Sequence, residues 1–161
     1  MAAPVNIRIG HGYDIHRLQT GGKLMMGGVV VAEGISAIAH SDGDIVIHAI
    51  VDALLGAAGM GDIGQHFPDT NAAWKGAASM MFLEEAMKLL ADEKLSVVNC
   101  DVTIMAERPK LQAFKAAMVA SLSEALKAPV NIKAGTNEGY GEIGRGEAVA
   151  AHAVVLLARD Q

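Results

Sequence analysis

The stretch from Asp44 to Ala58 constrains this chain more than any other. Ile45, Ile47, Ala49, Ile50, Ala53 and Leu54 follow a polar turn and make a helix dense in faces that need burial. Such a helix belongs at the centre of a core, and the remaining segments must be placed around it. Its approach, His40-Ser41-Asp42-Gly43-Asp44, supplies N-cap and first-turn residue types in Ser41, Asp42 and Asp44. His48 then falls in the second turn. A buried imidazole left unpaired costs roughly 1–3 kcal/mol, so His48 needs a hydrogen bond or a metal. On this stretch alone, a hydrogen-bonded core histidine is the simpler reading.

The 161 residues fit one domain, expected over 1–161, with 52% hydrophobic residues to fill its core. A net charge of −5 with no basic run argues against nucleic acid or an anionic membrane surface as the main partner. Cys100 is the only cysteine, which excludes a disulfide framework and makes a reduced cytoplasm the simplest home. Met1 to Val5 show no signal-peptide core, and no apolar run reaches the roughly 18–20 residues of a membrane span.

The patterning predicts a strand over Asn6 to His16, bent at Gly10 and Gly12, and a turn over Gln19 to Gly22. Lys23 to Ala32 reads as a hairpin split at Gly27-Gly28. The core helix stops at Gly59-Met60-Gly61, and Asp62 to Thr70 is expected to be irregular. An amphipathic helix is expected over Ala77 to Asp92, with Met81, Leu83, Met87 and Leu90 inward. A strand follows over Leu95 to Met105, then a helix over Leu111 to Lys127 initiated near Pro109, and a strand over Pro129 to Ala134. A glycine-dense segment, Gly135 to Gly146, precedes a last strand over Ala148 to Leu157. This order implies a two-layer α/β domain of α+β type, its helices on one face of the sheet.

Asp14 and His16 are two apart in an extended segment, so they present a carboxylate and an imidazole to one face. With His48 they offer one oxygen and two nitrogens, the three-ligand set of a working zinc site with a position left open. Separate surface and core roles for the three remain the alternative. His11, His66 and His152 have no partner at ligand spacing and read as ordinary strand or loop residues. Lys133 to Glu138 leave a strand for a glycine loop. There backbone N–H groups and Thr136 can hold phosphate oxygens and Glu138 a hard cation, or the segment is a plain strand exit. Asp62 could bind sugar hydroxyls or cap a turn. Arg145 could anchor an anion or pair with Glu142 or Glu147.

Five segments together carry a resemblance that covers almost the whole chain. They are R-I-G-H-G-Y-D-I-H-R-L at 8–18, A-H-S-D-G-D-I-V-I-H-A-I-V-D-A-L-L-G-A at 39–57, G-D-I-G-Q-H-F-P-D-T at 61–70, and K-A-G-T-N-E with G-R-G-E at 133–138 and 144–147. The chain resembles the 2-C-methyl-D-erythritol 2,4-cyclodiphosphate synthase family of the non-mevalonate isoprenoid pathway. The resemblance implies a bacterial, cytoplasmic homotrimer that associates through its sheets and builds active sites between subunits. It implies zinc, or another divalent transition metal, at Asp14, His16 and His48, and magnesium or manganese on the substrate diphosphate with Glu138 as ligand. His40 and Thr136 match positions that stabilise the transition state, and Ser41 lies beside the phosphates. Asp62, Ile63 and Gly64, continued by Phe67, Pro68, Asp69, Thr70 and Asn71, match the sugar-binding loop. Ala106, Glu107, Arg108, Pro109, Lys110, Leu111 and Gln112 fall where cytosine is held, and Gly135, Thr136, Asn137 and Glu138 where the diphosphate lies. Other readings are a zinc-dependent phosphohydrolase and a non-catalytic trimeric nucleotide- or isoprenoid-binding module.

The sequence also departs from that family. Gly135 and Asn137 flank a single Thr136 where a Thr-rich run is usual. Glu142 stands where an aromatic residue is common, and His152 where an acid is common. In the family these last positions and that of Arg145 line an axial cavity that takes an isoprenoid diphosphate. A ring of Glu142 carboxylates repels a diphosphate unless Arg145 neutralises it, so an altered ligand preference is expected.

Overall fold

A computed structural model describes residues 6–159, so the expectation for Met1 to Val5 lies outside the described residues. The elements in order are β1 (Ile7–Met26), β2 (Val29–Ala37), α1 (Ile45–Ala58), α2 (Ile63–His66), α3 (Ser79–Asp92), β3 (Leu95–Met105), α4 (Lys115–Leu126), β4 (Val130–Gly135), α5 (Gly141–Gly144) and β5 (Ala148–Arg159). The strands form one mixed sheet in the order β2-β1-β5-β3-β4, antiparallel except for the parallel β3/β4 pair.

The core helix is as the sequence predicts. Asp44 caps α1 by accepting from the N–H groups of Val46 and Ile47, and Gly59 ends it in a left-handed conformation at φ 75°. Ten of its fourteen residues are buried. The sheet meets it with β5 residues Val149, Ala151, Ala153, Val155 and Leu157 and with Cys100, Val102 and Ile104 of β3. Strand alternation sends the other side chains to the opposite face. There Ile7 is 56%, Ile9 74%, Tyr13 47% and Val154 39% exposed, and the short α5 covers one corner by packing Ile143 with Ala148 and Ala150 of β5. Cys100 is buried, and burial with the neighbouring Asp101 charge pushes its thiol up to about 12, far from thiolate chemistry.

The structure corrects several expectations. β1 does not turn at Gln19 to Gly22. Gly21 and Gly22 stand against Gly34 between the pairs Thr20↔Ile35 and Lys23↔Glu33, so one extra residue bulges and the strand bends onward to Met26. The hairpin does turn at Gly27-Gly28, where both residues have positive φ. Asp62 to Thr70 is not wholly irregular, because α2 lies within it. In α3 the buried row is Phe82, Leu83, Ala86 and Leu90, while Met81 is exposed. Pro109 lies in a loop, and regular α-helix begins only at Lys115 after a 3-10 turn over Gln112–Phe114.

Candidate metal centre and phosphate cleft

Asp14 and His16 project from β1 toward α1, and His48 faces them from the start of that helix. His48 Nδ1 lies 3.0 Å from Asp14 Oδ2 and 3.3 Å from His16 Nε2, which is itself 2.9 Å from the same Asp14 oxygen. A divalent transition metal bound at about 2.0–2.1 Å separates tetrahedral ligands by roughly 3.3 Å, so the triangle has the size and donor chemistry for one ion. All three ligand atoms lie within 4.8 Å of one another, the only such group of three or more among the described residues. Burial pushes the Asp14 carboxyl up, but the two imidazoles outweigh it and hold it well below the usual carboxylate range. Burial lowers His16, and the Asp14 carboxylate beside it more than offsets this, so its imidazole titrates above its ordinary value.

The triad forms one wall of a cleft of about 720 Å³. The structure also brings His40, Ser41, Ile63, Gly64, Phe67, Pro68 and Asp69 to that cleft. His40 Nδ1 lies 4.0 Å from Asp69 Oδ2, which sets the His40 turn opposite the 61–70 segment across the opening. Asp62 and Asn71 serve as caps, accepting from Gln65 N–H and Ala73 N–H respectively. The sequence reading missed Ile38, Ala39, Trp74 and Phe82, which line the same cleft. Phe67, Trp74 and Phe82 form one aromatic cluster with ring centroids 4.8–5.6 Å apart, and no local spacing links them. The remaining histidines are not ligands of this centre. His66 Nε2 donates to the Met60 carbonyl, while His11 Nε2 and His152 Nδ1 meet 2.8 Å apart on the exposed sheet face.

The other predicted residues lie elsewhere on the chain. Met105 pairs with Gly135 and Ala150, and Ala150 with Ile15, so β4's exit is three strands from the Asp14–His16 pair, roughly 14 Å. Ala106 N–H donates to Gly135 O, which joins the Ala106–Gln112 segment to the Gly135–Glu138 loop. In that loop Thr136 Oγ1 accepts from Glu138 N–H at 3.3 Å, and Glu138 adopts φ 52°. The Arg108 guanidinium packs beside Gly146, and a buried oxygen of Glu107 has no partner among the described residues. Arg145 donates to both oxygens of Glu147, at 3.0 and 3.2 Å, rather than to Glu142.

An α/β fold with an Asp/His/His group in the wall of an open cleft defines a class, and comparison gives it a family. A model of the YgbB family matches residues 7–158, and the chain belongs to that family. The 2-C-methyl-D-erythritol 2,4-cyclodiphosphate synthase of Nitrosococcus oceani is 52% identical over 158 residues, covering 96% of this chain and 100% of the relative. The solved IspF of Plasmodium falciparum in complex with CDP superposes with a TM-score of 0.85 at 33% identity, covering 99% of this chain and 100% of that one. The bifunctional IspDF of Campylobacter jejuni gives a TM-score of 0.94 at 38% identity over 98% of this chain, which spans 43% of that longer one.

Proposed function

We propose that the chain is a cyclising phosphorus–oxygen lyase, forming 2-C-methyl-D-erythritol 2,4-cyclodiphosphate from 4-diphosphocytidyl-2-C-methyl-D-erythritol 2-phosphate with release of CMP. A 2-phosphate oxygen bonds to the β-phosphorus, the bond from that phosphorus to the α-phosphate oxygen breaks, and CMP leaves with the electron pair. The observation that carries this reading is the convergence of Asp14, His16 and His48 at a cleft whose rim is made by the motifs at 39–57 and 61–70.

The main barrier is folding two anions together, so positioning and charge neutralisation are the required contributions. Asp14, His16 and His48 would hold zinc, and Glu138 would hold magnesium on the diphosphate; bound, these ions supply Lewis-acid neutralisation of phosphate charge. His40 and Ser41 donate to phosphate oxygens at the cleft, and Thr136 does the same from the second segment. The loop from Asp62 to Asn71 orients the sugar. Ala106 to Gln112 hold the cytosine edge through backbone groups.

The two groups of residues stand on different parts of one chain, and the reading therefore includes a homotrimer whose sites form between neighbours. The exposed Ile7, Ile9, Tyr13 and Val154 on the sheet, and the Glu107 oxygen with no partner among the described residues, support an apolar subunit interface and a completing partner. The single catalytic domain spans 1–161, and a bacterial cytoplasm is the proposed location.

His48→Ala should abolish stoichiometric zinc binding and lower CMP release at least 100-fold, read by metal analysis and product chromatography. Full activity with one zinc per chain would overturn the metal assignment. A linear phosphate product in place of the cyclic diphosphate would identify a hydrolase. The axial cavity offers a separate expectation, because Arg145 donates both its hydrogen bonds to Glu147 and reaches Glu142 only through its charge. Geranyl diphosphate should bind weakly in calorimetry, and tight binding would sink that idea.

A further inference from the structure

His48 and Asp52 stand four residues apart on α1, so they share one face of the helix with their Cβ atoms roughly 5–6 Å apart. The first faces Asp14 and His16. The second is turned to α2, where Asp52 Oδ1 accepts from Ile63 N–H at 3.0 Å. α2 is a single turn of four residues, none of them buried, and Ile63 packs only partly against the core. A turn this short has little of its own to hold it in place. Hydrogen bonds from its two ends to α1 do so instead. Asp52 takes the N–H of its first residue, and His66, its last, donates from Nε2 to the carbonyl of Met60 at 2.8 Å, just past the end of α1.

Ile63 and Gly64 line the cleft together with Asp14, His16 and His48, whereas Asp52 is not among the residues lining it. Asp52 therefore reaches a ligand only through Ile63. We infer that Asp52 is a positioning residue that ties the Ile63–Gly64 turn to α1 one helical turn beyond His48, and so fixes the spacing between the phosphate end and the sugar end of the cleft. That spacing is then set by one turn of a buried helix, about 5.4 Å along its axis, and not by the connecting loop. The inference rests on the cyclase reading above and deepens it. A substrate whose diphosphate lies at the triad must present its sugar to this turn, and a misplacement of about 1 Å costs up to roughly 100-fold where geometry decides. The bond asks for an acceptor and not for a charge, because its donor is a neutral backbone N–H.

Asp52→Ala should raise the KM for the cytidyl substrate and the calorimetric Kd for CDP roughly 10-fold each, with zinc affinity unchanged because His48 keeps its place. Asp52→Asn, whose amide oxygen still accepts, should restore both. Ile63→Pro deletes the same bond from the other side, at the first position of a helix, where proline is tolerated, and it should weaken CDP alike. In the Ile63→Pro background Asp52→Ala should cost nothing further, the non-additivity expected of two partners in one bond. A merely structural role would lower the urea midpoint of Asp52→Ala and leave KM and CDP affinity unmoved, which would overturn the inference. So would an equal loss in Asp52→Asn or a further loss in the Ile63→Pro background. A parallel fall in zinc affinity would also overturn it, by placing the damage in α1. Wild-type protein that binds CDP but releases no CMP would remove the cyclase reading, while the CDP comparison still judges Asp52 on its own. Wild-type protein without affinity for CDP would overturn both.

Discussion

Asp44→Ala should lower the unfolding free energy by about 4 kcal/mol, near the upper end for single substitutions. The Asp44 carboxylate is fully buried and accepts from four backbone N–H groups. Two belong to the hairpin turn, Gly27 at 2.8 Å and Gly28 at 2.7 Å, and two to the first turn of α1, Val46 and Ile47, each at 3.1 Å. Truncation orphans all four. Each buried unpaired N–H costs about 1–3 kcal/mol, and entering water recovers part of that. For a chain of this size the loss corresponds to a fall in Tm of roughly 8–16 °C. Urea titration checks it, with Asp44→Asn expected to fall between, since an amide oxygen still accepts but its NH₂ opposes the remaining donors. A loss under about 1 kcal/mol would mean that the turn and helix do not depend on this carboxylate.

The same carboxylate explains why the sequence misleads at one glycine pair and not at another. Gly21-Gly22 and Gly27-Gly28 are identical dipeptides, yet the first bends a continuing strand and the second reverses the chain. The turn is the pair whose N–H groups meet Asp44, a contact made sixteen and seventeen residues away that no local pattern encodes. Elements whose cause is local were legible. The α1 cap follows from an acid ahead of an apolar run, and β3 is predicted with its observed bounds because β-branched residues fill it. In α3 Leu83 and Leu90 are buried as expected and Met87 packs against the core, but Met81 is exposed and Phe82 takes the inward place beside Phe67 and Trp74 from another segment.

The site follows the same division. Asp14-x-His16 and His48 are readable as ligand types, whereas their convergence is a property of packing. Asp52 was invisible as a site residue, since an acid on a helix is ordinary and its partner, Ile63 N–H, lies beyond the end of that helix. The Thr136 and Glu138 loop was readable as chemistry, but its distance from the triad within one chain was not.

What makes the ligands converge is the absence of side chains at Gly10 and Gly12, and Gly12→Ala should therefore damage the site more than its small size suggests. A Cβ on Gly12 would fall inside contact distance of the Ala49 carbonyl oxygen and carbon and of Ala53 N, all backbone atoms of α1. Backbone cannot rotate away, so the helix must lift from β1 or the strand must give. Overpacking of this kind costs about 3 kcal/mol. The functional loss is the larger effect. Ala49 follows His48 directly, and Asp14 stands two residues beyond Gly12, so the lift acts on both sides of a triangle whose edges are 2.9–3.3 Å. A displacement of about 1 Å is enough to cost roughly 100-fold where geometry decides, and zinc affinity and CMP release should each fall by at least that factor. Gly10→Ala is the matched control. Its Cβ would strike Ala53 O and the Ala57 side chain, one to two turns farther along α1, so it should destabilise comparably and spare more of the zinc affinity. Calorimetric zinc titration beside urea denaturation of both variants separates the two effects. Wild-type zinc affinity in a folded Gly12→Ala protein would show that the close approach of α1 to β1 serves the core alone.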